Sequence, residues 1–320
     1  MSNFGLKSLL DFPAVLVASG LLSKAVWPYL ASLVIAVIGL PRTFKAAREY
    51  FEPADKLIQF GPAFFAIPMA VFGTDHFLEA RFVAQIVPAW MPWHLFWVYF
   101  VGIALFAAAL SLATGVEATL AATLLGIMIF SFVLLIFLPD CFKTHFEKIF
   151  VTLLLRESTL SSAVLAFAAS RTHWRGSNVV ITAARFIVAT AMAVYGVDHF
   201  LNPLTAPGIP QDDPTYIVTM PSWVPAHPFW AYATGAILIF CASAIALGKH
   251  ARLAATAIGA TVLVLIFLVY IPLTISRLSD VDKGLNYLAI HFALAGAALS
   301  LAGALPKNAP KQVNVAVREA

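Results

Sequence analysis

The chain has 320 residues, 61% of them hydrophobic and only 11% charged. That composition, with a mean hydropathy of +0.88, excludes an ordinary soluble domain, which is roughly 45–50% apolar and about 25% charged. The net charge of +4 is spread over short segments between apolar runs, where it reports membrane topology rather than a nucleic-acid face.

In chain order, the first apolar region is residues 12–40, interrupted by Lys24, Trp27 and Pro28. Proline removes a backbone hydrogen bond and ends or kinks a helix, so this region predicts one extra span, or an interfacial helix followed by a span. Lys7 ahead of residues 12–23 imitates a signal peptide, but no small-x-small cleavage site follows, and the segment is expected to be retained. Runs near 62–78, 95–114, 118–138, 155–170, 180–198, 229–247, 252–272 and 285–304 approach the length of about 20 residues that crosses a bilayer. The expected fold class is therefore an all-α polytopic transmembrane bundle of eight or nine spans. Cys141 and Cys241 form no CxxC pair, so neither a disulfide nor a thiolate metal site is expected.

Basic residues set the expected orientation. Arg42, Lys45, Arg48 and Lys56, then Arg171 and Arg175, then Lys249 and Arg252, then Lys307, Lys311 and Arg318 fall in alternate connections, which the positive-inside rule makes cytoplasmic. The protein is thus expected in the cell's inner (cytoplasmic) membrane with a cytoplasmic C-terminus. Residues 199–228 have no Lys or Arg and carry Asp212 and Asp213, as an outer loop should. Lys143, Lys148 and Arg156 are a blemish, since the same topology puts them outside.

An internal repeat dominates the sequence. AIPMAVFGTDHFL (66–78) aligns with ATAMAVYGVDHFL (189–201) at a spacing of 123 residues. PAWMPWHLFWVY (88–99) aligns with PSWVPAHPFWAY (221–232) at a spacing of 133, and that register runs on to Pro139 and Pro272. The difference is an insertion within NPLTAPGIPQDDPTY. Two parallel four-helix repeats, 58–176 and 177–306, are expected after an N-terminal extension (1–57) and before a tail (307–320).

The repeated polar residues gather at one rim. In the second repeat they are Asp198, His199, Trp223 and His227; in the first, Asp75, His76, Trp90 and His94. Three readings compete. Asp and His can terminate helices at the interface beneath a Trp belt; imidazole and carboxylate can exchange protons with a quinone head group; or two His and one Asp can ligate a metal or haem. His291, about two turns into the last span, is a sharper anomaly, because an ionisable residue at that depth faces the bundle interior and a partner. Its first-repeat counterpart is Ser161, so the second repeat is the expected working half. Walker A, GxSxG, HExxH and GxGxxG motifs are absent.

At GVDHFLNP (196–203), MPSWVPAHPFWAYATG (220–235) and KHARLAATAIG (249–259) the chain resembles the DoxX family of small four-helix membrane proteins. The resemblance covers 180–304 well and 60–170 more weakly. It implies association with membrane redox systems, since the family includes a subunit associated with thiosulfate:quinone oxidoreductase. The family often carries an acidic residue shortly after the second-helix glycine, whereas Gly102 is followed by Ile-Ala-Leu-Phe and Gly235 by Ala-Ile-Leu-Ile, a departure that favours an accessory role. Three functions are therefore weighed: a quinone-linked redox subunit, a non-catalytic scaffold in contact with lipid and other membrane or redox proteins, and a small-solute transporter.

Overall fold

The computed structural model describes residues 26–172, 174–210, 220–278, 280–281 and 284–307. Lys7, Lys24, Asp212, Asp213, Lys311 and Arg318 lie outside them. Among the described residues nine helices are long and apolar enough to cross a membrane: α1 (Val26–Ala47), α2 (Pro53–Leu78), α3 (His94–Thr114), α4 (Ala118–Lys143), α5 (Lys148–Ala169), α6 (Ser177–Leu201), α7 (His227–Leu247), α8 (Ala251–Ser276) and α9 (Leu285–Ala304). The chain is an all-α polytopic bundle. Its exterior is apolar, with Leu33, Val37, Ile103, Leu124, Phe240 and Phe267 all exposed, as lipid rather than water requires.

Pro28 occupies the first turn of α1, the first described helix, where the amides have no helical partner to lose. Three boundaries differ from expectation. Pro139 and Pro272 do not end α4 and α8. Each follows a π-helical segment, Val133–Phe137 or Ile266–Tyr270, in which the amides of Leu138 and Ile271 reach back to Val133 O and Ile266 O. The wider turn relieves the clash that a proline ring makes with the carbonyl four residues earlier. Finally, α5 begins at Lys148 rather than near 155, because the one charge in its first two turns is paired. Lys148 bridges to Asp198, and Arg156 to Glu157 at 2.7 Å.

The same pairing accounts for the basic residues on the expected outer side, where Lys143 also meets Asp140 at 2.8 Å. At the opposite, basic rim, Asp55 accepts from Arg252 and Lys307, both at 2.7 Å. Arg252 also donates to Ala302 O at 2.9 Å and Leu305 O at 3.2 Å, covering the carbonyls left free at the end of α9. Asp55→Asn is expected to cost about 1–2 kcal/mol, since the pair is mostly but not wholly buried. The thermal midpoint in detergent measures this; an unchanged midpoint would show the bridge to be inert.

Elements recur at the spacing seen in the sequence. The bounds of α3 and α7, of α4 and α8, and of the two π segments are each 133 residues apart. Left-handed residues recur likewise at Trp93 and Ala226, Gly115 and Gly248, and Glu117 and His250. The indoles of Trp97 and Trp230 donate to Pro92 O and Pro225 O, both at 3.0 Å.

The two halves are not side-by-side closed bundles. α9 packs on α2, α5 and α8, while α5 packs on α4, α6 and α9. The last helix of each half thus lies against the first helix of the other. α9, the most buried span, is rich in Ala, Gly and Ser because neighbours surround it, and in lipid close helix approach depends on small residues. A Cβ on Gly296 would lie 2.5 Å from Phe65 N, and one on Gly61 2.9 Å from Ser300 N. α6 and α7 cross just as closely at Gly196 and Gly235.

Candidate functional site

His199 and His291 reach the same short loop. Each imidazole Nδ1 faces a carbonyl on its own helix, Tyr195 O for His199 and Tyr287 O (2.7 Å) for His291. A carbonyl only accepts, so Nδ1 carries the proton and Nε2 is the bare acceptor. The Nε2 atoms are used at once: Gly208 N–H donates to His199 at 2.8 Å, and Ile209 N–H donates to His291 at 3.2 Å. Two histidines on different helices therefore hold successive amides of the loop inserted in the second half.

The surroundings complete the clamp. The Tyr270 ring stacks on His291 with centroids 3.6 Å apart, and its hydroxyl donates to Pro207 O at 2.9 Å. Gly208 has φ +138°, and a Cβ there would lie 2.2 Å from His291 Nε2, so only glycine fits on both counts. His291 is fully buried and His199 nearly so. Protonating either Nε2 would turn an acceptor into a donor facing an N–H. The clamp therefore requires two neutral rings.

The other expected site residues sit elsewhere. Asp198 points away from the clamp to Lys148 on α5 and accepts from Asn202 Nδ2 at 2.8 Å. Together with Tyr195, whose hydroxyl donates to Thr152 O at 3.0 Å, it fastens α6 to α5. Trp223 donates to Leu268 O at 3.3 Å, a carbonyl of the second π segment. His227 is the first residue of α7, and its ring makes no hydrogen bond with a described residue. In the first half, His76 repeats the helix bond, to Phe72 O at 2.7 Å, but Trp90 is 70% exposed and His94 merely opens α3. Ser161 donates to Gly126 O at 2.9 Å, tying α5 to α4. Among the described residues, no group of three or more His, Cys, Asp or Glu is arranged to hold a metal ion.

Sequence reasoning missed Tyr195, Tyr270 and Gly208. A signal was present: the repeat aligns Tyr195 with Phe72 and Tyr270 with Phe137, so the second half gains one buried hydroxyl at each position. Both hydroxyls bond carbonyls far away in sequence.

The fold defines a multi-pass integral membrane protein whose polar residues serve mainly to join helices and loop. The family model DoxX matches residues 180–271, from the first turn of α6 into the end of α8. No curated protein and no solved structure matches the chain.

Proposed function

We propose that this protein is a non-catalytic accessory subunit of a membrane redox system, in which a duplicated DoxX-like unit serves as an assembly scaffold. The observation that carries this reading is the saturation of the clamp: all four ring nitrogens of His199 and His291 are engaged by backbone groups, leaving no free lone pair for a substrate. The broad apolar exterior suits partners within the membrane as well as lipid. Recurrence of helix bounds at 133 residues supports two repeats, 58–176 and 177–306, flanked by the extension and tail. The basic rim supports a cytoplasmic C-terminus in the inner membrane. Purification in mild detergent is expected to bring down a larger integral membrane complex. Recovery of the chain alone, freely diffusing, would remove this reading.

A second reading, direct binding of a quinone head group, is favoured by the stacked Tyr270 and His291 rings beside His199, where a displaced loop would expose two acceptors and a phenol. It requires organic extracts of the purified protein to contain quinone, and His199→Ala and His291→Ala to slow electron transfer in the assembled system. Wild-type electron transfer in both variants would eliminate it.

A further inference from the structure

At the basic rim the first half holds a cavity of about 240 Å³, walled on one side by Arg42 of α1, by Arg171 just beyond α5, and by Glu117, Ala118 and Thr119 at the start of α4. The Arg171 guanidinium lies over the Phe167 ring, 4.3 Å from its centroid. Arg42 lies across the end of α3, where Gly115 takes φ +75°; a Cβ there would fall 1.9 Å from Arg42 Nη1. The glycine is what lets the guanidinium into the cavity wall.

Among the described residues no carboxylate pairs with the positive charge here. Neither Arg42 nor Arg171 makes a side-chain hydrogen bond or ion pair with a described residue, whereas Lys143, Lys148, Arg156, Arg252 and Lys307 each meet a carboxylate. Both arginines stand exposed at the rim, open to a ligand from outside the bundle. The start of α4 has no side-chain cap, so its first amides lack helical partners and sit at the positive end of the helix dipole. Two guanidiniums and the first amides of α4 border one cavity, a donor set of the kind that holds a tetrahedral oxyanion. Glu117 is the single carboxylate on the lining, and it pairs with neither arginine.

We infer that this pocket binds a phosphate group, held by Arg42, Arg171 and the first amides of α4. Two sources present that chemistry at a basic membrane rim: the head group of an anionic phospholipid and a soluble phosphate. In the test, the full chain is compared with the Arg42→Gln/Arg171→Gln double variant, reading the thermal midpoint in phosphatidylglycerol against phosphatidylcholine nanodiscs, and in detergent with inorganic phosphate titrated in. Wild type is expected to be stabilised, and the double variant to need at least about tenfold more anion for the same shift. A response to phosphatidylglycerol alone assigns the source to lipid; a response to inorganic phosphate assigns it to solution. Equal responses of wild type and double variant would overturn the inference. Should the double variant not fold, Gly115→Ala and Gly248→Ala are compared: both place alanine in a left-handed helix end, but only the first strikes Arg42. Loss of the anion response in Gly115→Ala alone is the expected result, and equal behaviour of the two overturns the site. Glu117→Gln is expected to tighten binding several-fold, and weaker binding in that variant would count against it.

Discussion

Replacing Gly235 with valine is expected to destabilise the protein by about 3 kcal/mol or more, the upper range for overpacking a tight contact. A Cβ at Gly235 would sit 2.8 Å from Gly196 O and 3.1 Å from His199 Cβ. The first of these is backbone, which yields only if α6 and α7 move apart. Because apolar side chains gain little by leaving lipid, that separation costs van der Waals contact that no hydrophobic force restores. The counterpart Gly102→Val is expected to cost less, since its closest neighbour is the Phe77 ring at 2.7 Å, and an aromatic ring can turn aside. Gly303→Ala, with its Cβ only 3.3 Å from Ile58 Cγ2, is expected to be neutral or to gain about 0.5–1 kcal/mol from helix propensity. Unfolding midpoints in detergent should therefore fall in that order. Wild-type stability in Gly235→Val would refute the crossing described for α6 and α7.

His291→Ala is the second large effect, at about 2–4 kcal/mol, combining a cavity in a fully buried site with loss of the acceptor for the Ile209 N–H. Its local signature is sharper than its stability cost. Hydrogen exchange at the Gly208 and Ile209 amides should accelerate strongly, because Ile209 loses its acceptor and the stacked Tyr270 ring loses its neighbour. His227→Ala should leave both amides protected, since His227 takes no part in the clamp. If His291→Ala exchanges like wild type at these two amides, the histidines do not hold the loop. Tyr270→Phe should give a smaller effect, removing one bond to Pro207 O while keeping the stacked ring.

These two predictions rest on different kinds of information. The glycines at α6 and α7 stand in the repeated sequence at the same places in both halves, with Gly73 and Gly102 matching Gly196 and Gly235, so their recurrence was visible beforehand although their contact was not. The clamp was legible only in part. The depth and burial of His291 followed from its place in an apolar span, and its asymmetry from the Ser161 counterpart. Its partners did not, because they are backbone amides of an inserted loop and carry no side-chain signal. Grouping Asp198 with His199 also misled, since adjacent helical residues point about 100° apart. One faces the clamp and the other faces α5.

By itself the sequence determined the all-α, multi-span character of the chain and displayed its internal self-similarity, because hydropathy, helical length and recurring motifs are properties of local stretches of chain. Only the tertiary structure decided which helix meets which: that α9 packs on α2 and α5 on α6, that Lys148 answers Asp198, and that Asp55 answers both Arg252 and Lys307. The lipid-facing runs all look alike in composition. Choice among them is made by close contacts of small residues and by charges that must find partners across the bundle, and those depend on three-dimensional distance rather than on sequence spacing.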